Sequence, residues 1–182
     1  MNDVGEDTSD GRGEPSRLVW GLLERGDYVG AEALLRARLA KDPCNHWLLT
    51  RLGTALYEQR RYEEALRCHE DALALSARCP LVLWDLAGAC QMLGRDADAL
   101  RFYARLIRRG AARIATDECG EGLALARGLV ADCHFRSADS YWAMGRPRAA
   151  RNALERHLRL RGPGCRSIYA LKEVRAHQRE WA

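Results

Sequence analysis

Residues 46–79 read HWLLTRLGTALYEQRRYEEALRCHEDALALSARC. Leucines recur at spacings of three and four before the Gln59-Arg60-Arg61 turn, and the apolar positions after the turn follow the same spacing from Tyr62 onward. This periodicity predicts two amphipathic helices that pack as a hairpin. The small residues Gly53 and Ala65 allow two antiparallel helices to approach closely.

The same pattern returns along the chain with a period of 34 residues, which predicts a helical repeat array. The copies occupy about 12–45, 46–79 and 80–113, and a fourth fits 131–164 after an insert at 114–130. Most copies place a glycine at the turn between the two helices, where a left-handed backbone is favourable. These glycines are Gly26, Gly94 and Gly145.

The repeat resembles the tetratricopeptide repeat (TPR) family. In the second copy the motif stands as Leu52-Gly53, Tyr62, Ala65, His69 and Ala72, and in the third as Leu86-Ala87, Gly94, Ala99, Tyr103 and Leu106. The resemblance implies an all-α, right-handed superhelical solenoid of about four helix-turn-helix repeats. Such a solenoid has a concave, ligand-facing side.

The segments outside the repeats have their own expectations. Turn residues at 110–122 predict a loop, and the apolar period that follows predicts a long helix from near Glu121 to about Met144. A terminal helix at about 166–182 is expected to cap the last repeat. Residues 1–12 are acidic and poor in apolar side chains, so we expect them to be disordered.

Composition describes a soluble globular chain. Of 182 residues, 47% are hydrophobic and 30% charged, and no apolar run is long enough for a membrane span. The N-terminus shows no secretory signal, and the seven cysteines form no C-x-x-C pair. We therefore expect reduced thiols and a cytoplasmic protein. Arginine outnumbers lysine 27 to 2, which is typical of a GC-rich, bacterial coding sequence.

Charge is distributed unevenly along the chain. The net charge is +4, but residues 1–15 carry −4 and residues 146–182 carry +7. A basic end could contact nucleic acid, although acidic residues interrupt it and aromatic residues do not alternate with the basic ones, as a nucleic-acid surface would require. A solvated helix face is the simpler interpretation.

No catalytic motif was found, so the sequence predicts a protein that is not an enzyme and has no cofactor. Cys119, Asp132, Cys133 and His134 could be imagined as a metal site, but the adjacent Cys133 and His134 point about 100° apart on a helix. No metal is therefore expected. The Cys119-Gly120-Glu121-Gly122 segment could expose backbone N–H groups to an anion, which is a weak signal.

The resemblance assigns partner binding to the concave face, which the first helix of each pair presents. Four tryptophans fall on this face, and tryptophan and arginine dominate protein–protein hot spots. The Lys and Asn residues of the family's carboxylate clamp for chaperone tails are absent; Ser16, Trp20, Arg51, Leu81 and Asp85 stand in their places. The candidate groove residues are Arg17, Trp20, Trp47, Arg51, Thr54, Tyr57, Trp84, Asp85, Gln91, Phe135, Arg136, Asp139 and Trp142.

These observations predict an interaction adaptor or assembly chaperone that binds a protein or peptide in the concave groove. The alternative is an accessory subunit embedded permanently in a larger complex. A nucleic-acid partner is less favoured, no membrane partner is expected, and the sequence does not decide the oligomeric state.

Overall fold

The computed structural model of the chain describes residues 14–181; the segment predicted to be disordered, 1–12, lies outside them. All regular secondary structure within 14–181 is helical, and these residues contain no strand. The predicted all-α fold is confirmed. The chain forms two compact units, which divide between Leu75 and Ser76.

Unit 1 consists of two helical hairpins. Its helices are α1 (Glu14–Glu24), α2 (Tyr28–Leu39), α3 (His46–Glu58) and α4 (Tyr62–Leu75). Each helix packs against the next along the chain. The leucines and small residues of the repeat motif form the core, which contains Val19, Ala31, Leu35, Leu48, Leu52, Ala55, Leu56 and Ala65.

Unit 2 holds the longer half of the array. Its helices are α5 (Pro80–Met92), α6 (Asp96–Arg109), α7 (Ala111–Ala115), α8 (Leu123–Ala143), α9 (Pro147–Leu160) and α10 (Leu171–Glu180). α8 packs against both α6 and α9. The insert therefore does not interrupt the stacking of helices.

Local sequence signals account for several helix starts. The Asp27 and Asn45 side chains accept hydrogen bonds from Gly30 N at 2.9 Å and Leu48 N at 3.1 Å, which caps α2 and α3. Pro80 and Pro147 open α5 and α9, where the missing N–H has no helical partner to lose.

The hairpin turns share a left-handed residue. Gly26, Gly94 and Gly145 have φ values of 74°, 69° and 67° at this place. In the second hairpin the residue is Arg60, with φ 61°. Arg60 therefore holds a conformation that is strained for a residue with a Cβ atom.

Two segments of unit 2 differ from expectation. The stretch 110–122, expected to be a loop, contains the short helix α7, whose Ile114 is buried. α10 begins at Leu171, later than the predicted start, because Ser167 and Ile168 are held in a non-helical conformation by hydrogen bonds to the Asp132 carboxylate. No helix within 14–181 combines the length and the apolar character that crossing a membrane requires.

Candidate binding surfaces

In unit 1 an arginine lies close to two indole rings, and all three residues belong to the predicted groove. Arg51 of α3 lies with its Cζ atom 4.7 Å from the ring centroid of Trp20, on α1. The Trp47 ring, one turn earlier on α3, lies 6.0 Å from the same atom. Trp20 is 41% exposed, whereas Trp47 also packs against the core of unit 1. We call these three residues the Trp–Arg cluster.

Arg51 is only 7% exposed, yet no carboxylate of the described residues lies within ion-pair distance of it. Its Nε atom is buried and has no acceptor within the described part of the chain. Arg61, by contrast, contacts Glu32 at 2.6 Å and Glu64 at 2.7 Å. The buried arginine of the cluster thus lacks the counter-charge that a more exposed one has.

The positive charge of Arg51 helps to lower the pKa of a neighbouring histidine. His69 of α4 is 1% exposed, and its pKa is lowered to about 4, first by burial and then by the charge of Arg51. His69 is therefore neutral at physiological pH. It adds no second positive charge beside Arg51.

The remaining predicted residues of unit 1, Arg17, Thr54 and Tyr57, differ in their surroundings. Arg17 is exposed on α1, three residues before Trp20. Thr54 donates its hydroxyl hydrogen to Thr50 O at 3.0 Å. Tyr57 packs edge-on against Tyr62, with ring centroids 5.3 Å apart.

In unit 2, Gln91 is the centre of an internal hydrogen-bond network. Its amide nitrogen donates to Arg136 O at 2.9 Å and to Ser140 Oγ at 2.7 Å. Its amide oxygen accepts from Tyr103 OH at 2.7 Å and from Arg136 Nε at 2.6 Å. Trp84 packs on the Tyr103 ring at 5.6 Å. Contacts within unit 2 thus link three predicted groove residues, Trp84 and Gln91 of α5 and Arg136 of α8, with Tyr103 of α6.

The C-terminal segment, residues 165–181, covers the predicted groove face of α8. Phe135 is 2% exposed and lies 4.4 Å from Tyr169 and 5.3 Å from His177, centroid to centroid. Trp142 stacks on Trp181 at 4.8 Å with the rings 10° apart. Two predicted groove residues, Phe135 and Trp142, therefore contact the C-terminal segment of the chain itself.

Two carboxylates face the same segment: Asp132 is buried and Asp139 is partly exposed. Asp132 accepts hydrogen bonds from Ser167 Oγ and Ile168 N, and burial raises its pKa. Asp139 lies 3.9 Å from His177 Nε2, and burial raises its pKa to about 6. Asp85, the remaining predicted residue, is half-buried on α5.

Sequence reasoning missed two of these features. It treated Gln91 as a groove residue, although an amide that accepts from a buried tyrosine can be recognised only when α5, α6 and α8 are assembled. It also treated the terminal helix as a general cap. Ser167, which follows the Gly162-Pro163-Gly164 turn, was the available signal, since serine side chains often form hydrogen bonds at turns.

Paired helices stacked in sequence order define an α-helical repeat protein. Two tetratricopeptide repeat profiles match the chain, one over residues 22–70 and the other over 50–114 and 135–172. The chain belongs to the tetratricopeptide repeat family, as the motif predicted. No curated protein sequence matches it.

Solved structures show the same fold. The crystal structure of MamA protein superposes with a TM-score of 0.62 at 19% identity, covering 80% of this chain and 70% of that one. MamA 41-end from Desulfovibrio magneticus RS-1 gives 0.61 at 16% identity, covering 82% and 77%. MamA MSR-1 C2 gives 0.60 at 20% identity, covering 80% and 74%. At these identities the likeness concerns the fold alone.

Proposed function

We propose that the chain is a non-enzymatic adaptor or assembly chaperone, and that the Trp–Arg cluster of unit 1 binds an extended polypeptide segment through a carboxylate. Membership of the tetratricopeptide repeat family supports the general role. The observation that carries the proposal is the burial of Arg51 without a carboxylate among the described residues.

A buried guanidinium without a counter-ion is unfavourable, because removing the charge from water costs several kcal/mol. The indole rings of Trp20 and Trp47 offset part of this cost through cation–π attraction, about 1–2 kcal/mol each at a desolvated site. A carboxylate from a partner would offset more of it, since the planar guanidinium can donate two parallel hydrogen bonds. The free protein is then destabilised by the desolvation of Arg51, and binding of a carboxylate offsets that loss.

The two rings also suggest what flanks the carboxylate. Trp20 is 41% exposed and provides an apolar surface beside the charge, so an apolar side chain next to the acid would pack there. The exposed Arg17, on the same face of α1, would attract further acidic residues. We therefore propose a segment that combines an acidic group with a large apolar residue.

We assign binding to unit 1 because the comparable face of α8 is already occupied. Phe135 and Trp142 pack against Tyr169 and Trp181 of the same chain, so a partner would have to displace these rings. In the Trp–Arg cluster the Trp20 ring is 41% exposed, so a partner can reach the cluster from that side.

The proposed setting is the cytoplasm of a bacterium. The proposal rests on the seven cysteines without C-x-x-C pairing and on the arginine-rich, lysine-poor composition. It would be supported if all the thiols of protein purified from freshly lysed cells react with a thiol reagent after denaturation without reductant.

Selection from a random peptide library with free carboxyl termini would test the binding proposal. We expect selected peptides to share an acidic group beside a large apolar residue. Converting that acidic group to an amide, at the carboxyl terminus or in a side chain, should weaken binding about 30-fold, as for a hot-spot contact of about 2 kcal/mol. Arg51→Met and Trp20→Ala should weaken it to a similar degree, whereas Arg67→Ala, an exposed position on α4, should not.

Three results would contradict the proposal. Selected peptides could bind Arg51→Met as tightly as the parent protein. They could lack an acidic group altogether. Binding could also survive both cluster variants and fail when basic residues within 146–182 are neutralised, which would assign the binding site to the basic C-terminal region.

A further inference from the structure

Two cysteines that are distant in sequence meet in unit 2. Cys79 precedes α5 and is 5% exposed, whereas Cys119 lies in the loop before α8 and is half-buried. Their sulfur atoms lie within 4.8 Å of each other. About 40 residues separate them, so their contact reflects the tertiary fold.

Arg109, the last residue of α6, connects the two segments that carry these cysteines. Its guanidinium donates a hydrogen bond to the carbonyl oxygen of Arg78, the residue before Cys79. It also forms an ion pair with Asp117, two residues before Cys119. One side chain therefore holds both thiol-bearing segments in place.

The backbone around each thiol is also restrained. Cys79 O accepts from Leu83 N at 3.2 Å in the first turn of α5. Gly120 N donates to Asp117 O at 2.8 Å, and a Cβ atom at Gly120 would lie only 2.5 Å from Ile114 O. Glycine thus permits the loop to pass directly over α7, and this close approach places Cys119 beside Cys79.

We propose that Cys79 and Cys119 form a reversible disulfide when the protein meets a peroxide. The Cys119 sulfur attacks hydrogen peroxide, becomes a sulfenic acid and releases one water. The Cys79 sulfur then attacks the sulfenic sulfur, which forms the S–S bond and releases a second water. Two thiols and one peroxide thus give one disulfide and two waters, and a small dithiol reverses the change.

The surroundings of Cys79 and Cys119 determine the rate at which these thiols are oxidised. A hydrogen bond with Cys79 and burial both raise the pKa of the Cys119 thiol, while Arg109 acts in the opposite direction. Because the thiolate is the nucleophile, oxidation at neutral pH is slow and accelerates with rising pH. Such a pair responds to sustained oxidation and does not turn over as a catalytic thiol would.

A bond between these residues would tie the start of α5 to the loop before α8. Because it closes a loop of about 40 residues, it would restrict the unfolded chain strongly. Oxidation should therefore raise the melting temperature of the protein by about 5 °C or more, and dithiothreitol should reverse the shift.

Peptide mapping of the full chain after hydrogen peroxide treatment tests the proposal directly. Trypsin should release residues 79–95 linked to residues 114–127, with fragment ions placing the bond on Cys79 and not on Cys90. Cys119→Ser should abolish both the linked peptide and the melting shift. Cys44→Ser, at an exposed cysteine on unit 1, should leave both unchanged.

The serine variant could alter folding because Cys119 is half-buried, so its unoxidised melting temperature is measured alongside that of the parent. Cys79→Ala provides a second variant on the other partner. Oxidation of Cys119 to sulfinic acid without a linked peptide would overturn the proposal. So would a linkage between other cysteines, or a linked protein whose melting temperature does not rise.

Discussion

The imidazole ring of His69 lies directly over Gly53. A Cβ atom built on Gly53 would stand 2.3 Å from His69 Cε1 and 2.7 Å from both ring nitrogens. The ring is 1% exposed and belongs to α4, while Gly53 belongs to α3. This contact sets how closely the two helices of the second hairpin approach.

Gly53→Ala should therefore destabilise the protein by about 1–3 kcal/mol, because the ring has no room to move. Alanine ordinarily stabilises a helix interior relative to glycine, so Gly21→Ala in α1, which meets only the flexible end of Arg25, should act in the opposite direction. Urea denaturation measures both. Equal behaviour of the two variants would contradict the proposed contact.

His69 also predicts a loss of stability in acid. Its pKa is about 4 in the folded protein and about 6.5 when unfolded, so the unfolded state takes up the proton first. Stability is complete above pH 6.5 and falls as the pH drops from 6.5 to about 4, by about 3 kcal/mol at most.

His69→Leu should remove this part of the pH dependence. Burial lowers the pKa values of His134 and His157 as well, so some loss in acid remains in the variant. The measurement is the difference between parent and variant in unfolding free energy at pH 7.5 and pH 4.5. If the two proteins lose the same amount, His69 is not the group responsible.

Arg51→Met should raise the unfolding free energy by about 1 kcal/mol or more while removing peptide binding, because an apolar side chain has no charge to desolvate. This combination separates a binding residue from a structural one. Thermal denaturation and a peptide titration on the same preparation check it. A variant that melts earlier than the parent would indicate that Arg51 mainly supports the fold.

Arg60→Gly should stabilise the second hairpin by about 1 kcal/mol, since glycine adopts the left-handed conformation without strain. The reciprocal change Gly94→Arg should destabilise the third hairpin by a similar amount. Nothing lies within 4 Å of a Cβ atom at Gly94, so backbone strain alone would account for the loss. Melting temperatures that leave either change without effect would contradict this account of the turn.

Gln91→Leu should destabilise unit 2 by about 2–3 kcal/mol, because Tyr103 OH and the Arg136 guanidinium would lose a buried acceptor. Tyr103→Phe removes one donor together with its need for a partner, so it should cost only about 1 kcal/mol. Urea denaturation of the two variants tests this order. The reverse order would show that the amide is not the centre of the network.

The helical hairpins could be predicted because each rests on a local pattern. The leucine spacing around Leu52 and Leu56, the caps Asp27 and Asn45 and the glycines at the turns all lie within a few residues of the structure they specify. Local patterns of this kind need no knowledge of the tertiary fold.

The candidate site was less accessible from sequence. The family resemblance predicts that Trp20, Trp47 and Arg51 share the inner face, but it cannot show that Arg51 is buried or that it lacks a carboxylate among the residues that the structure describes. That depends on which acids lie nearby in space, as Glu32 does for Arg61 across 29 residues. The burial of Phe135 likewise depends on tertiary contacts between α8 and residues 165–181.

The segment that returns over α8 has a consequence for how large this array can grow. Ser167, Ile168 and Tyr169 lie against α8, and Trp181 stacks on Trp142, so the flank on which a fifth hairpin would stack is filled by the chain itself. Extension by another repeat, or end-to-end assembly of copies through this flank, first requires these rings and hydrogen bonds to be released.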